Sequence, residues 1–236
     1  MKIAVIPARS GSKRIPGKNI KLFSNRPIIS YSIAAAHDSR CFDKIIVSTD
    51  DKEIADVALR HGAEVPFIRP KSLSDDLTGT ADVVRHAIAW LLQEETHISD
   101  VCCIYATAPF LQACHIIEAY KKLRQNKCNY VFSVTSYAFP VQRAITINPD
   151  ETIKMLWPEH AVTRSQDLAE TFHDAGQFYW GKAEAWTSNI PILGAESIPL
   201  ILPRYLVQDI DTQEDWQTAE LMYDAFVRKN RKNIAE

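Results

Sequence analysis

Four cations stand close together near the start of the chain: Arg9, Lys13, Arg14 and Lys18, in the stretch AVIPARSGSKRIPGKNI. The first acid is Asp38, so nothing nearby in sequence neutralises them. Cations interleaved with Gly11 and Gly17 suit a polyphosphate, because Arg9 and Lys18 can offset its charge and the glycines let backbone amides approach it closely. A merely solvated basic loop is the plainer alternative. Far downstream, VQDIDT sets Asp209 and Asp211 two residues apart in extended chain. A period of two turns both carboxylates to one face and Ile210 to the other. Two carboxylates on one face repel unless a cation lies between them. Hard oxygen ligands suit Mg²⁺, which binds through one or two carboxylates together with substrate phosphates. The alternative here is a pair of exposed acids ahead of a helix, with Asp211 favouring its N-terminus. A cationic loop and an acidic pair, both at strand ends of one sheet, are what phosphoryl or nucleotidyl transfer requires.

Two familiar phosphate motifs do not fit the loop. In a P-loop four residues separate the glycines, whereas here five separate Gly11 from Gly17, and Asn19 stands where a Mg²⁺-binding Ser or Thr belongs. No helical pattern follows Lys18 directly, and no dinucleotide-binding G-x-G-x-x-G is present.

Composition narrows the ligand. The chain has 236 residues, 46% of them hydrophobic and 24% charged, with a formal net charge of -2. That is ordinary for a folded chain able to bury a sizeable core. No global field attracts nucleic acid or a membrane surface, so the basic segment is local and suits a small anionic ligand. No apolar run reaches membrane-spanning length and the N-terminus carries no signal-peptide pattern. The five cysteines are odd in number and form no C-x-x-C pair. This predicts a reducing cytoplasm, with no structural disulfide or zinc site.

The elements that must position these residues alternate in type. KIAVIPA, KIIVSTD, EVPFIRP, DVCCIYA and NYVFSVTS read as strands. RPIISYSIAAAHDS, DKEIADVALRHGA, TGTADVVRHAIAWLLQEE and ACHIIEAYKKLRQN read as helices, the first with Pro27 near its first turn and the third with a Thr cap. This rhythm predicts an α/β fold, a mixed, mostly parallel sheet flanked by helices on both faces, in a single domain spanning 1–236. From about residue 138 to 172 the rhythm breaks, and NPDE marks a turn between two alternating runs. The segment reads as an inserted hairpin arm able to pack on another subunit, or as a long loop with two edge strands. QFYWGK then returns as a strand, AEAW as a helical turn and IPLILPRYLVQDID as extended chain. TQEDWQTAELMYDAFVRK closes the chain as a helix with Thr212 as cap and Asp215 at N3.

IPARSGSKRIPGKN closely resembles the signature of the CMP-sugar synthetases, the cytidylyltransferases that activate nonulosonic acids and KDO, and DIDT resembles their paired metal aspartates. VSTDD, IRP, TGTAD and YATAP also fall in order along the whole chain. The resemblance implies a nucleotide-diphospho-sugar transferase-like fold and a homodimer formed through the inserted β-hairpin arm. It implies coupling of CTP to a sugar acid, with release of pyrophosphate, assisted by Mg²⁺ or Mn²⁺. By position, Arg9 and Lys18 would hold the triphosphate and stabilise departing pyrophosphate. Ala8, Ser10, Gly11, Asn19, Arg69 and Thr80 would line the nucleotide. Asp209 and Asp211 would ligate the metal, with Asp211 helping to activate the attacking hydroxyl, and Arg164 in the arm would reach the sugar carboxylate.

FHDAGQFYWG, residues 172–181, is similar to the branch that activates pseudaminic acid. On that resemblance Asp174, Gln177 and Tyr179 become candidate sugar contacts; a buried strand whose aromatic residues simply pack is the alternative. N-acetylneuraminate, legionaminate and KDO remain as other acceptors. Tyr105 and Ala106 replace the Gln-Pro found in many members, and no role is given to His173. A nucleotide-binding regulatory module without turnover would be free to lose Asp209 or Asp211, and this chain has both.

Overall fold

Six strands form the main sheet, and their apolar runs explain why. The structure, a computed structural model, describes residues 1–93 and 97–234. In chain order the strands are β1 (Lys2–Pro7), β2 (Leu22–Phe23), β3 (Arg26–Pro27), β4 (Lys44–Ser48), β5 (Asp100–Ile104), β6 (Tyr130–Ser136), β7 (Ile145–Ile147), β8 (Ile153–Met155), β9 (Phe172–Lys182) and β10 (Ser197–Ile201). The helices are α1 (Ile29–Ser39), α2 (Lys52–Arg60), α3 (Thr80–Leu91), α4 (Ala113–Gln125), α5 (Ala183–Thr187) and α6 (Gln213–Ile234). The main sheet runs β10-β6-β9-β5-β1-β4. β1 pairs in parallel with β4 and β5, and β10 with β6, while β9 alone runs antiparallel, between β5 and β6. The expected mixed, mostly parallel sheet is observed.

Both faces of the sheet are covered, so its strands read as unbroken apolar runs. Side chains alternate by face along each strand. Ala4, Ile6, Cys102, Ile104 and Trp180 pack with α1, α2 and α4. Ile3, Val5, Val101, Cys103 and Tyr179 pack with α3 and α5. Gly181 in β9 has no room for a side chain. An added Cβ would lie 2.5 Å from the Tyr130 ring and 2.6 Å from Trp186 Nε1. Both rings are fully buried, and overpacking a full core is costly. Gly181→Ala is therefore expected to destabilise the protein by about 3 kcal/mol, read as a lower urea midpoint; an unchanged midpoint would show that the rings can move aside.

A third cluster ties α6 to the polar motifs. Phe23, Tyr31, Phe110, Trp216 and Ala219 gather there with Leu206, Ile15 and Ile210. Ile15 lies inside the cationic loop and Ile210 between the two aspartates. Each motif thus carries one apolar residue, buried to 2% and 0% exposure, that sinks into the same pocket. The two motifs are drawn together by that shared anchor. α6 begins with the predicted capping box: Thr212 Oγ1 accepts from Asp215 N at 3.2 Å, and Asp215 Oδ2 accepts from Thr212 N at 2.7 Å.

Three expectations need correction, and a fourth falls partly outside the described residues. Arg26–Pro27 is not helical but forms a hairpin with Leu22–Phe23, turned by Ser24 and Asn25 at φ 45° and 70°, the mirror-image turn that two-residue hairpins favour. EVPFIRP is not a strand; it makes isolated bridges, Ile46–Glu64 to β4 and Thr49–Ile68 just past it. The expected Thr cap is neither Thr78 nor Thr80, since Gly79 holds the N-cap position and no side chain caps it. α3 ends at Leu91, and Glu94 and Glu95, read as its tail, lie outside the described residues. Between β6 and β9 the chain leaves the main sheet. There β7 and β8 form a separate antiparallel hairpin joined through Asn148–Thr152, with Glu151 at φ 64°. Among the described residues no helix is long and apolar enough to cross a membrane.

Candidate active site

A cavity of about 550 Å³ opens at the carboxyl end of β1, where open α/β sheets bind ligands. Arg9, Lys13, Arg14, Lys18 and Asn19 enter from the loop after β1. Arg69, Asp76, Thr78 and Thr80 enter from the segment leading into α3, Tyr105 and Thr107 from the end of β5, and Asp211 from the segment before α6. The two motifs read from sequence therefore face one space.

The loop is held at several points. Gly17 takes φ 63°, a conformation that favours glycine, and its carbonyl accepts from Ile20 N and Lys21 N, both at 2.9 Å. Asn19 Nδ2 donates to the Arg9 carbonyl at 2.9 Å. Asp50, just past β4, accepts from Ser10 N and from Ser10 Oγ, each at 2.9 Å. Ala8 is buried, its N–H bonded to Ser48 O at 2.9 Å, and it is not among the residues that line the cavity. Around Gly11 an added Cβ would meet only Arg9 Nη1, at 3.8 Å, which leaves the backbone accessible.

The cations are not uncompensated, as they look in sequence. Arg9 Nη1 pairs with Asp76 Oδ1 at 2.7 Å and Lys13 Nζ with Asp76 Oδ2 at 2.5 Å. Arg14 Nη2 pairs with Asp211 Oδ2 at 2.8 Å and Lys18 Nζ with Asp211 Oδ1 at 3.2 Å. Lys18 also donates to Ile210 O at 2.7 Å.

Arg69 is different. It is 3% exposed, and its nearest acid, Asp50, lies 4.0 Å away. Its Nε and Nη2 have no hydrogen-bond partner in the protein. Burial lowers its pKa, opposed by Asp50 and reinforced by Arg9. Arg69 lines the cavity, and a buried guanidinium with unmet donors can meet an acceptor that a ligand brings.

Asp209 and Asp211 flank the fully buried Ile210; Asp211 lines the cavity, and Asp209 is not among its lining residues. Asp209 lies against β9, with Oδ1 3.9 Å from where a Cβ on Gly176 would stand, and Tyr105 4.0 Å from the same point. Desolvation first, then the Asp211 charge, raise the Asp209 carboxyl above its ordinary range, against the pull of Lys18. Two crowded carboxylates with hard oxygen donors fit a divalent cation, whose charge would relieve that crowding; the remaining ligands of a Mg²⁺ ion come from substrate phosphates and water. Among the described residues no cluster of three or more metal-ligating side chains occurs.

The candidate sugar residues lie elsewhere. Asp174, Gln177 and Tyr179 gather at a bulge in β9, where the register with β6 shifts between Phe132 and Val134 and Gly176 takes φ 61°. Asp174 Oδ1 accepts from Gly176 N at 2.8 Å and Oδ2 from Tyr179 Oη at 2.6 Å. Gln177 Nε2 donates to Leu206 O at 2.5 Å. These side chains bond to the protein's own groups, and none lines the cavity. Tyr105 links the two regions, its ring 5.4 Å from that of Tyr179 and its hydroxyl 3.4 Å from Thr80 Oγ1. Arg164 sits exposed in the inserted segment, paired with Asp167 at 2.7 Å and away from the cavity of its own protomer. Sequence reasoning missed Asp76 and Asp50 as partners of the loop. VSTDD was a visible signal for Asp50, whereas Asp76 lies in an unpatterned acidic turn.

Comparison with known proteins shows the family and the fold. A family model described as cytidylyltransferase matches residues 3–230. Pseudaminic acid cytidylyltransferase of Campylobacter jejuni subsp. jejuni serotype O:2 is 46% identical over 222 residues, covering 94% of this chain and 95% of that protein. CMP-N,N'-diacetyllegionaminic acid synthase of Legionella pneumophila subsp. pneumophila is 33% identical over 235 residues, covering 94% and 96% respectively. A solved structure of CMP:2-keto-3-deoxy-manno-octonic acid synthetase complexed with CTP shares the fold, with a TM-score of 0.69 at 14% identity over 95% of this chain and 98% of that one. With the match running over nearly the whole sequence, the chain belongs to the cytidylyltransferase family.

Proposed function

We propose that the protein couples CTP to pseudaminic acid, giving CMP-pseudaminic acid and pyrophosphate. The observation that carries the reaction is the cavity, lined by four loop cations, Arg69 and Asp211. The 46% identity to a pseudaminic acid cytidylyltransferase over nearly full length supports the choice of acceptor.

The sugar's anomeric hydroxyl attacks the α-phosphorus of CTP, the bond from that phosphorus to the bridging oxygen breaks, and pyrophosphate leaves. Arg9 and Lys18 hold the triphosphate and take up charge on the leaving group. Ala8, Ser10, Gly11, Asn19, Arg69 and Thr80 line the nucleotide. Asp209 and Asp211 would hold a Mg²⁺ or Mn²⁺ ion, which when bound offsets phosphate charge. Asp211 helps remove the proton of the attacking hydroxyl. Asp174, Gln177 and Tyr179 recognise polar substituents of the sugar, directly or through the bulge they hold.

The functional unit is a homodimer formed through the inserted segment. That segment presents Phe139, Ile147 and Val162 at 82%, 75% and 93% exposure, an apolar surface that association would cover. Because Arg164 lies away from its own cavity, its contact to the sugar carboxylate would be made in the partner's site. The enzyme works in the cytoplasm, supplying an activated sugar for surface glycans and flagellin glycosylation.

Pyrophosphate release with CTP and Mg²⁺ tests the assignment. Turnover is expected with pseudaminic acid and at least tenfold less with N-acetylneuraminic, legionaminic and KDO acids, a ratio within reach of a few pocket contacts. Turnover of N-acetylneuraminate but not pseudaminate would overturn the acceptor while leaving the reaction standing.

A further inference from the structure

Asp76 lines the cavity and engages two of its cations. Both of its oxygens are engaged by cations of one loop, Oδ1 by Arg9 at 2.7 Å and Oδ2 by Lys13 at 2.5 Å. It reaches them across 67 and 63 residues of sequence, and it lines the cavity with them. Its neighbour Asp75 is differently employed. Asp75 Oδ1 accepts from Leu77 N at 3.1 Å, Thr78 N at 2.7 Å and Thr78 Oγ1 at 2.6 Å, closing the turn that carries Asp76.

One carboxylate bridging two cations copies how two oxygens of a phosphate would bind them. The pairs are also readily exchanged. Side-chain exposure is 36% for Arg9, 82% for Lys13 and 46% for Asp76, so water screens them and their breaking costs little. The two hydrogen-bonded cations hold the Asp76 carboxyl below its usual range, so it is charged at neutral pH.

We propose that Asp76 is a resident stand-in for nucleotide phosphate. It holds Arg9 and Lys13 in the unliganded enzyme, yields them to the incoming triphosphate, and returns to them as pyrophosphate leaves. It thereby weakens the binding of nucleotide and product alike and keeps the loop pre-formed between turnovers. The proposal rests on the reading of this cavity as the triphosphate site.

Titration calorimetry with CTP and with inorganic pyrophosphate tests it, on wild type, Asp76→Asn and Asp224→Asn. The last removes the same charge from α6, outside the cavity. Asp76→Asn is expected to bind both ligands about three- to tenfold more tightly than wild type, with the gain shrinking at high salt. In steady state it should show a lower KM for CTP and stronger product inhibition by pyrophosphate. Asp76→Ser repeats the test without an amide in the site. Equal or weaker binding by both Asp76 variants would overturn the proposal and make Asp76 a support of the loop. An equal gain in Asp224→Asn would overturn it too, by assigning the effect to net charge. If wild type binds neither CTP nor pyrophosphate, the reading of the cavity itself falls.

Discussion

Asp211→Ala is expected to lower kcat by on the order of 10³-fold or more while leaving the fold intact. The carboxylate stands at the meeting point of the two motifs, with Lys18 on one oxygen and Arg14 on the other. Removing it takes away one of the two carboxylates proposed to hold a divalent ion and the group proposed to draw the proton from the attacking hydroxyl. Metal-assisted charge stabilisation is worth several kcal/mol of barrier, and each 1.4 kcal/mol is a factor of ten. The fold should survive for identifiable reasons. The Asp211 side chain is 40% exposed, its backbone N–H keeps its bond to Asp215, and the buried anchor at Ile210 is untouched. The unfolding midpoint should therefore shift little, as for other partly exposed pairs. Asp211→Asn preserves shape and should be nearly as inactive, which separates loss of charge from loss of packing. Pyrophosphate release at saturating CTP and sugar measures the effect. Near-wild-type kcat in either variant would remove Asp211 from the mechanism.

What could be read in the sequence follows from which forces are local. β1, β4, β5 and β6 were legible because each is a short unbroken apolar run, the signature of a strand covered on both faces. The cap of α6 was legible because Thr212 and Asp215 are three residues apart and satisfy one another. The Leu22–Phe23 and Arg26–Pro27 hairpin was not, since two-residue strands carry no periodicity. At the other end of the scale, the cationic loop and the acidic pair were both identified. Their meeting was expected only from strand-end geometry and the family resemblance. The physical reason they meet, Ile15 and Ile210 sharing one apolar cluster with Trp216, involves residues that look unremarkable in either motif. The charge balance of the loop was misread for the same reason. Asp76 and Asp50 are 67 and 40 residues from the groups they hold, and no local rule pairs them. The 172–181 segment reads either as a sugar-contacting strand or as a buried strand whose aromatic residues pack. Its spacing gave no sign that Asp174 would turn back on Gly176 and Tyr179 to hold a bulge.

Arg9→Ala is expected to reduce kcat/KM by about 10²- to 10³-fold, the effect typical of removing one preorganised donor from developing negative charge. The position is well fixed before substrate arrives. Asn19 holds the Arg9 carbonyl, Asp50 holds the next residue through Ser10, and Asp76 holds the guanidinium. A donor aimed in advance needs no reorganisation when charge shifts onto the departing pyrophosphate. How the loss divides between kcat and KM identifies the role. If Arg9 acts on the leaving group as charge develops, kcat falls with kcat/KM. If it only grips the triphosphate, KM rises and kcat stays. Arg9→Lys retains the charge but loses the planar fork that meets two oxygens at once, and should fall between wild type and alanine. Lys13 does not replace Arg9, because its side chain is 82% exposed and, among the described residues, its ammonium pairs with Asp76 alone. In Arg9→Ala that carboxylate keeps Lys13 as its remaining loop partner. The double variant with Asp76→Asn should then recover part of the lost affinity for CTP without recovering kcat. A change of tenfold or less in Arg9→Ala would make the guanidinium a spectator and move the work of holding pyrophosphate to Lys18.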